Sequence, residues 1–283
     1  MNLLGRICSL LFISLAFLML ADLLIKGGRE FHLWYFFEPV LDLGRTGGIG
    51  PVLVSTGIVT VIGVLVALPF GLGGGILISE ILGQRPRLAW SCRRSLDVMI
   101  AVPSVAVGLA GKELFCHHLG LGYSLIAGGL TLAVMLVPIM IAAFAAGFDG
   151  VSIKLREQCS ALGMTRWQTL WKEVIPAARP ALIAGVALAL GRATAETAAL
   201  LLTSGVSTRM PENLFDPGAT LGVFVYHLST NGMGGQLRPY TAALTLVMIN
   251  AAVHLVLMKL TKWNETTAAV QNASEESLSH ASN

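Results

Sequence analysis

Two ionisable residues interrupt an apolar stretch in the last third of the chain. In V-A-L-A-L-G-R-A-T-A-E-T-A-A-L-L-L-T (186–203) stand Arg192 and Glu196, with Thr197 beside them. The stretch is long and apolar enough to cross a bilayer. A charge at mid-membrane costs roughly 2.5–3.5 kcal/mol on insertion scales, so such residues face a bundle interior and take partners. Spaced i and i+4, the two fall on one side of a continuous helix. One reading is an ion pair that neutralises itself; a buried pair is weak evidence of stabilisation. The other is recognition. The Arg192 guanidinium offers a planar fork to an oxyanion, and Glu196 holds that fork and keeps the empty site near neutral.

Other chemistries find little support. Neither H-E-x-x-H nor G-x-S-x-G occurs, which argues against an intramembrane hydrolase. Residues 71–75 (G-L-G-G-G) invite a phosphate-loop reading, but G-x-x-x-x-G-K-[ST] is absent. Glycines inside a span usually allow close helix packing, and the chain has no nucleotide site of that kind. His117 and His118 are adjacent and diverge on a helix, a poor start for a metal site. Cys8, Cys92, Cys116 and Cys159 are widely spaced, with no C-x-x-C, and read as free thiols. No cofactor or metal is expected.

A second stretch, 150–180, carries polar logic. Ser152 is placed to cap a helix from Ile153. Leu155, Cys159 and Leu162 share one face at helical spacing, with Lys154, Arg156 and Glu157 off it. Gly163 is expected to end that helix with φ > 0. Thr165 and Gln168 form a capping box that opens a second helix, with an apolar side of Trp167, Leu170, Trp171 and Val174. Pro176 and Pro180 are expected to close the region before the next span. The product is helix, glycine turn, helix at the membrane surface. It suits a protein-docking element, and it equally suits an amphipathic hairpin in the lipid headgroups.

The elements that must position these residues are membrane helices. Of the 283 residues 54% are hydrophobic and 12% charged, with mean hydropathy +0.73, against about 25% charged in soluble domains. Six segments reach the ~20 residues that a crossing requires: 7–25, 52–82, 96–115, 121–148, 181–203 and 240–260. The first is longer than a signal-peptide core and lacks a small-residue cleavage site. Pro69 predicts a kink or a helix end in the second. Arg6, Arg85, Arg87, Arg93, Arg94, Lys154, Arg156, Arg166, Lys172, Arg179, Lys259 and Lys262 fall on one side, and Lys26, Arg29, Arg45, Arg209 and Arg238 on the other. The richer side is cytoplasmic, so both termini are expected there. The net charge of +3 calls for no nucleic acid. The loop 204–238 contains a short helical pattern at 220–229, suited to docking or to packing over the bundle. The tail from Asn264 has a disordered composition, and its N-x-[ST] positions at Asn264 and Asn272 lie on the cytoplasmic side.

Glu157, Gly163 and Pro176 stand at the spacing of the E-A-A-x3-G-x9-I-x-L-P signature, and the chain there resembles permeases of ABC importers. Gln158 and Cys159 replace the two alanines, Glu173 the Ile and Ile175 the Leu. R-E-x-x-x-A-L-G-x-[ST]-R-W-Q-T (156–169) with G-R-A-x-x-E-T-A (191–198) narrows the resemblance to the A-type permease of the bacterial phosphate importer. Pro69-Phe-Gly71 with Ser79-Glu80, and Val102-Pro103-Ser104 with Gly108-Leu109, are similar to further family motifs. The similarity covers about 50–260. Ala195 replaces a usual Gly and Ala199 a frequent Pro.

The resemblance implies an all-α polytopic protein of the type I importer (MetI-like) architecture in a bacterial inner membrane. An N-terminal span and outside loop (1–50) would precede the transporter domain (51–262), with the tail at 263–283. Arg192, Glu196 and Thr197 would line the solute path. Glu157, Ala161, Leu162, Gly163 and Pro176 would meet the ATPase. The implied partners are a second, different permease in a heterodimer, a cytoplasmic ATPase dimer, a periplasmic or extracellular phosphate-binding protein, and the lipid bilayer. Two alternatives remain open: another oxyanion such as sulfate or molybdate, and an added role in reporting phosphate status to a sensor kinase.

Overall fold

The computed structural model describes residues 3–44, 46–231, 237–256 and 258–259. The tail with Asn264 and Asn272 lies outside the described residues, as do Arg45 and Lys262. The described chain is almost wholly helical. In order come α1 (Leu3–Gly27), a two-residue hairpin of β1 (Val40–Leu41) and β2 (Thr46–Gly47), α2 (Gly50–Ile76), α3 (Pro86–Ala101), α4 (Ser104–Gly111), α5 (Leu125–Asp149), α6 (Ile153–Ala161), α7 (Arg166–Thr169), α8 (Ile175–Thr194), α9 (Ala198–Leu201) and α10 (Leu221–Asn231). A last helix, α11, runs Arg238–Val256. Among the described residues, five helices are long and apolar enough to cross a membrane, or six if one bent pair counts as a span.

The bent pair corrects the expectation for the third span. α3 and α4 meet at 87°, so 96–115 is not one straight rod. Pro103 is the cause: it disfavours helical backbone at the residue before it, and Val102 is extended at φ −62°, ψ 131°. Pro69 has no such effect. α2 passes through it to Ile76 and continues as a π-helical turn, Leu77–Ile81, to the end of the span.

The fifth span also differs. Pro176 and Pro180 do not close a surface helix. α7, a π-helical turn at Leu170–Val174 and α8 run on as one span, Arg166–Thr194. That span then stops at Thr194, well before residue 203.

Contacts divide the chain into two compact units. The first comprises, among the described residues, 3–44, 46–59, 108–128, 194–231 and 237–250. Its core is Tyr35, Ile49, Val52, Leu221, Phe224, Leu228 and Ala242. α10 supplies three of these side chains, so the helical pattern in the long loop 204–238 is a packing element. Burial pushes the Tyr35 phenol up to about 12, and Arg238, beside its ring, donates to the Gly47 carbonyl at 2.6 Å. α1 buries none of its apolar window within this chain, as suits a helix that is hydrophobic all round.

The second unit comprises, among the described residues, 60–107, 129–193, 251–256 and 258–259. Here the glycines of α2 meet α5. A Cβ on Gly75 would stand 2.9 Å from Phe144 Cβ and 3.2 Å from the Ala145 nitrogen. Phe144 is fully buried, and its ring also fills the space beside Gly185 on α8. The G-L-G-G-G run is therefore a helix-packing surface in which a methyl group at Gly75 would collide with Phe144 Cβ and crowd the backbone beside it.

Candidate functional site

α6 ends as the sequence predicts. Leu162 is the C-cap, Gly163 has φ +75°, and its N–H bonds the Ser160 carbonyl at 3.0 Å. The Met164 N–H reaches back to the Cys159 carbonyl at 3.0 Å. These two bonds satisfy carbonyls that a helix end otherwise leaves open. Thr165 then opens α7 with both halves of the capping box: its hydroxyl accepts from the Gln168 N–H, and the Gln168 side chain accepts from the Thr165 N–H at 2.9 Å. Ser152 stands at the N-cap of α6, yet its hydroxyl makes no capping bond.

The faces differ from the pattern. Cys159 is buried, whereas Leu162 is 80% exposed. Leu170 and Val174 are buried; Trp167 and Trp171 are exposed and meet edge to face at 5.6 Å. Glu157, Ala161, Leu162 and Gly163 are all exposed, and Pro176 is half-buried. The outward side of the α6–Gly163–α7 turn thus joins a carboxylate to several apolar side chains.

The inward side is polar and tied down, which sequence reasoning missed. The Arg156 guanidinium donates to Glu80 Oε1 at 2.7 Å, to the Val151 carbonyl at 2.6 Å and to the Phe148 carbonyl at 2.8 Å. Asp149 accepts from Ser79 Oγ and from Arg93 Nη2, each at 2.8 Å. Arg156 and Glu80 are each about three-quarters buried, whereas Arg93 and Asp149 are more open. Ser79, Glu80, Asp149 and Arg156 line a cleft of about 940 Å³. Its walls come from the end of the second span, the end of α5, and α6 with α7. Adjacent residues on a helix face different ways, so Arg156 and Glu157 need not share a role, but no local pattern pointed Arg156 inward.

Arg192 and Glu196 do not share a helix, which corrects the i, i+4 reading. α8 ends at Thr194, and residues 195–197 break the span before α9. Arg192 sits exposed on the last turn of α8. Glu196 is 3% exposed and accepts the Ala199 N–H at 3.4 Å. A cation at a helix C-terminus and a carboxylate at an N-terminus each complement the local dipole. The break is closely packed. Thr197 Oγ1 lies 2.6 Å from where a Cβ on Gly222 would stand, and the Ala199 Cα is 2.7 Å from the same point on Gly108. The Thr194 hydroxyl donates to Asn250 Oδ1 at 2.5 Å. Among the described residues no group of three His, Cys, Asp or Glu side chains is gathered to hold a metal.

Residues 71–263 match the family described as binding-protein-dependent transport system inner membrane component. The chain is 29% identical to the probable ABC transporter permease protein YqgI of Bacillus subtilis, over 80% of this chain and 81% of that one. It is 31% identical to the phosphate transport system permease protein PstA of Mycobacterium leprae, over 80% and 75%. An inward-facing structure of the MetNI methionine ABC transporter aligns with a TM-score of 0.60 at 16% identity, covering 77% of this chain and 94% of that one.

Proposed function

The chain belongs to the binding-protein-dependent transport system inner membrane component family, and from that premise we propose that it is one of two permease subunits of an inorganic phosphate importer. As a polytopic inner-membrane permease it is a transport component, and subunits of this kind work with an ATPase and a solute-binding protein. In this reading it pairs with a different permease to form the solute path, both termini face the cytoplasm, and ATP is hydrolysed in a separate subunit docked on 150–180. The departures from the family signature at Gln158, Cys159 and Glu173 support pairing with a different subunit rather than a second copy.

The observation that carries the solute assignment is the interrupted fifth span. Transporters place sites at broken helices whose free backbone groups face a cavity. Here the break follows an exposed arginine, a group whose fork suits a phosphate oxyanion. The phosphate permease name borne by the Mycobacterium leprae relative supports that solute over sulfate or molybdate. Glu196 and Thr197 shape the adjoining turn. The exposed run Glu157–Ala161–Leu162–Gly163 is the docking stripe, and Pro176 lies in the first turn of α8 beyond it.

The test is uptake of radiolabelled phosphate and sulfate by a strain lacking this chain, restored with the natural chain or with Arg192→Gln. The natural chain restores phosphate uptake, and Arg192→Gln abolishes it while the complex still assembles in the membrane. Restoration of sulfate uptake alone would reject the solute, and normal phosphate uptake by Arg192→Gln at equal expression would reject the site.

A further inference from the structure

The second span is remote in sequence from the fourth span and the coupling stretch, and one side chain on the coupling stretch bonds to both spans. Arg156 lies on α6. Its guanidinium reaches Glu80 in the π-helical turn that ends the second span, and also the Phe148 and Val151 carbonyls at and just beyond the end of α5. Asp149 repeats the connection from the other side, accepting from Ser79 of the same turn and from Arg93 of α3. We infer that Glu80 and Arg156 are a positioning pair that carries displacement of α6 into the second and fourth spans, so that ATPase movement reaches more of the bundle than the fifth span alone. This rests on the docking of the ATPase at α6 proposed above.

The physical case has three parts. α7 continues directly into α8, so the fifth span needs no further link. α6 is joined to α7 through Gly163, a turn with open space around it. Without the Arg156 bonds, α6 could tilt about that turn and leave the second span behind. With them, the planar guanidinium holds α6 to two elements at once, because Nη2 donates to both Glu80 and the Phe148 carbonyl while Nη1 donates to the Val151 carbonyl. A π-helical turn is also a common interruption at functional positions, and Glu80 projects from one.

The pair differs from a plain structural bridge in what it predicts. Complexes are reconstituted in liposomes with the ATPase and solute-binding protein, and phosphate transported per ATP hydrolysed is measured. Glu80→Gln and Arg156→Gln each lower that ratio by about tenfold, the factor typical of one interaction between contacting residues. ATPase retention and basal hydrolysis stay within about twofold, since the docking face is untouched. The double variant is no worse than Arg156→Gln alone, and Arg156→Lys recovers part of the ratio. An unchanged ratio, or losses that multiply in the double variant, would overturn the inference. So would transport and hydrolysis falling together at a constant ratio, the mark of a merely structural role. If Arg156→Gln does not accumulate, Glu80→Gln carries the test, because it leaves the carbonyl bonds of Arg156 in place. Failure of the docking reading is separable: it shows as full ATPase retention by Glu157→Lys, whatever the Glu80 variants do.

Discussion

Replacing Gly163 separates the geometry of the coupling turn from its chemistry. The residue has φ +75°, and a Cβ added there meets nothing within 4 Å. The cost of a side chain is therefore backbone strain alone, about 1–2 kcal/mol for an L residue in the left-handed region. Asn tolerates that region better, and a β-branched residue is least at home in it. The expected order of damage is Gly163→Asn, then Ala, then Val. Against a typical domain stability of about 5–15 kcal/mol the fold survives. If the strain is relieved by rotating α7 against α6, the bonds from Gly163 and Met164 to Ser160 and Cys159 are lost and the docking stripe bends. A penalty of one or two kcal/mol in the docked state weakens association by about 5–30-fold. The assay is retention of the ATPase on washed membranes, with phosphate-stimulated hydrolysis measured in parallel. Full retention and full stimulation in Gly163→Val would refute the reasoning and favour a hairpin that lies in the lipid headgroups.

Two further outcomes follow from the same geometry. Glu157→Lys reverses an exposed charge on the docking face and should weaken ATPase retention, with the contrast to the natural chain shrinking as salt rises; a salt-independent loss would point to misfolding instead. Glu196→Gln keeps a side-chain oxygen for the Ala199 N–H but removes the charge that complements the start of α9, an effect of about 0.3–2 kcal/mol; the complex should assemble while phosphate uptake falls, and unimpaired uptake would make Glu196 structural.

What the sequence could and could not tell follows from the range of the forces involved. Spans and caps depend on neighbours within a few residues. Leu3–Gly27 and Leu125–Asp149 follow from hydropathy alone, and the Gly163 turn and the Thr165–Gln168 box from residue types three or four apart. The bend at Val102–Pro103 was written in an X-Pro pair but lay inside a long apolar run, where hydropathy hid it. Pro176 and Pro180 misled in the opposite sense, since prolines in a membrane helix can be accommodated when neighbours satisfy the freed carbonyls. The break at 195–197 left less trace. Ala195 and Ala199 stand where the resembled permeases use Gly and Pro, residues that announce an interruption; alanine, the best helix former, conceals it. The Arg156–Glu80 bond joins residues 76 apart in sequence, which no local pattern reports.

The charges that matter here share one physical setting. A continuous membrane helix satisfies its own backbone and offers an ion nothing. Its ends are different, because open carbonyls attract cations and open N–H groups attract anions. Arg192 sits on the last turn of α8, Glu196 accepts an N–H at the start of α9, and Arg156 donates to carbonyls at and just beyond the end of α5. In each case an interruption of a helix stabilises a charge that a lipid-facing stretch would reject. The same interruption leaves the chain able to change its angle there, as an unbroken helix cannot. Solute recognition and coupling to the ATPase both require a charge held at a joint, so a membrane protein that performs them should concentrate its ionisable residues at broken helices.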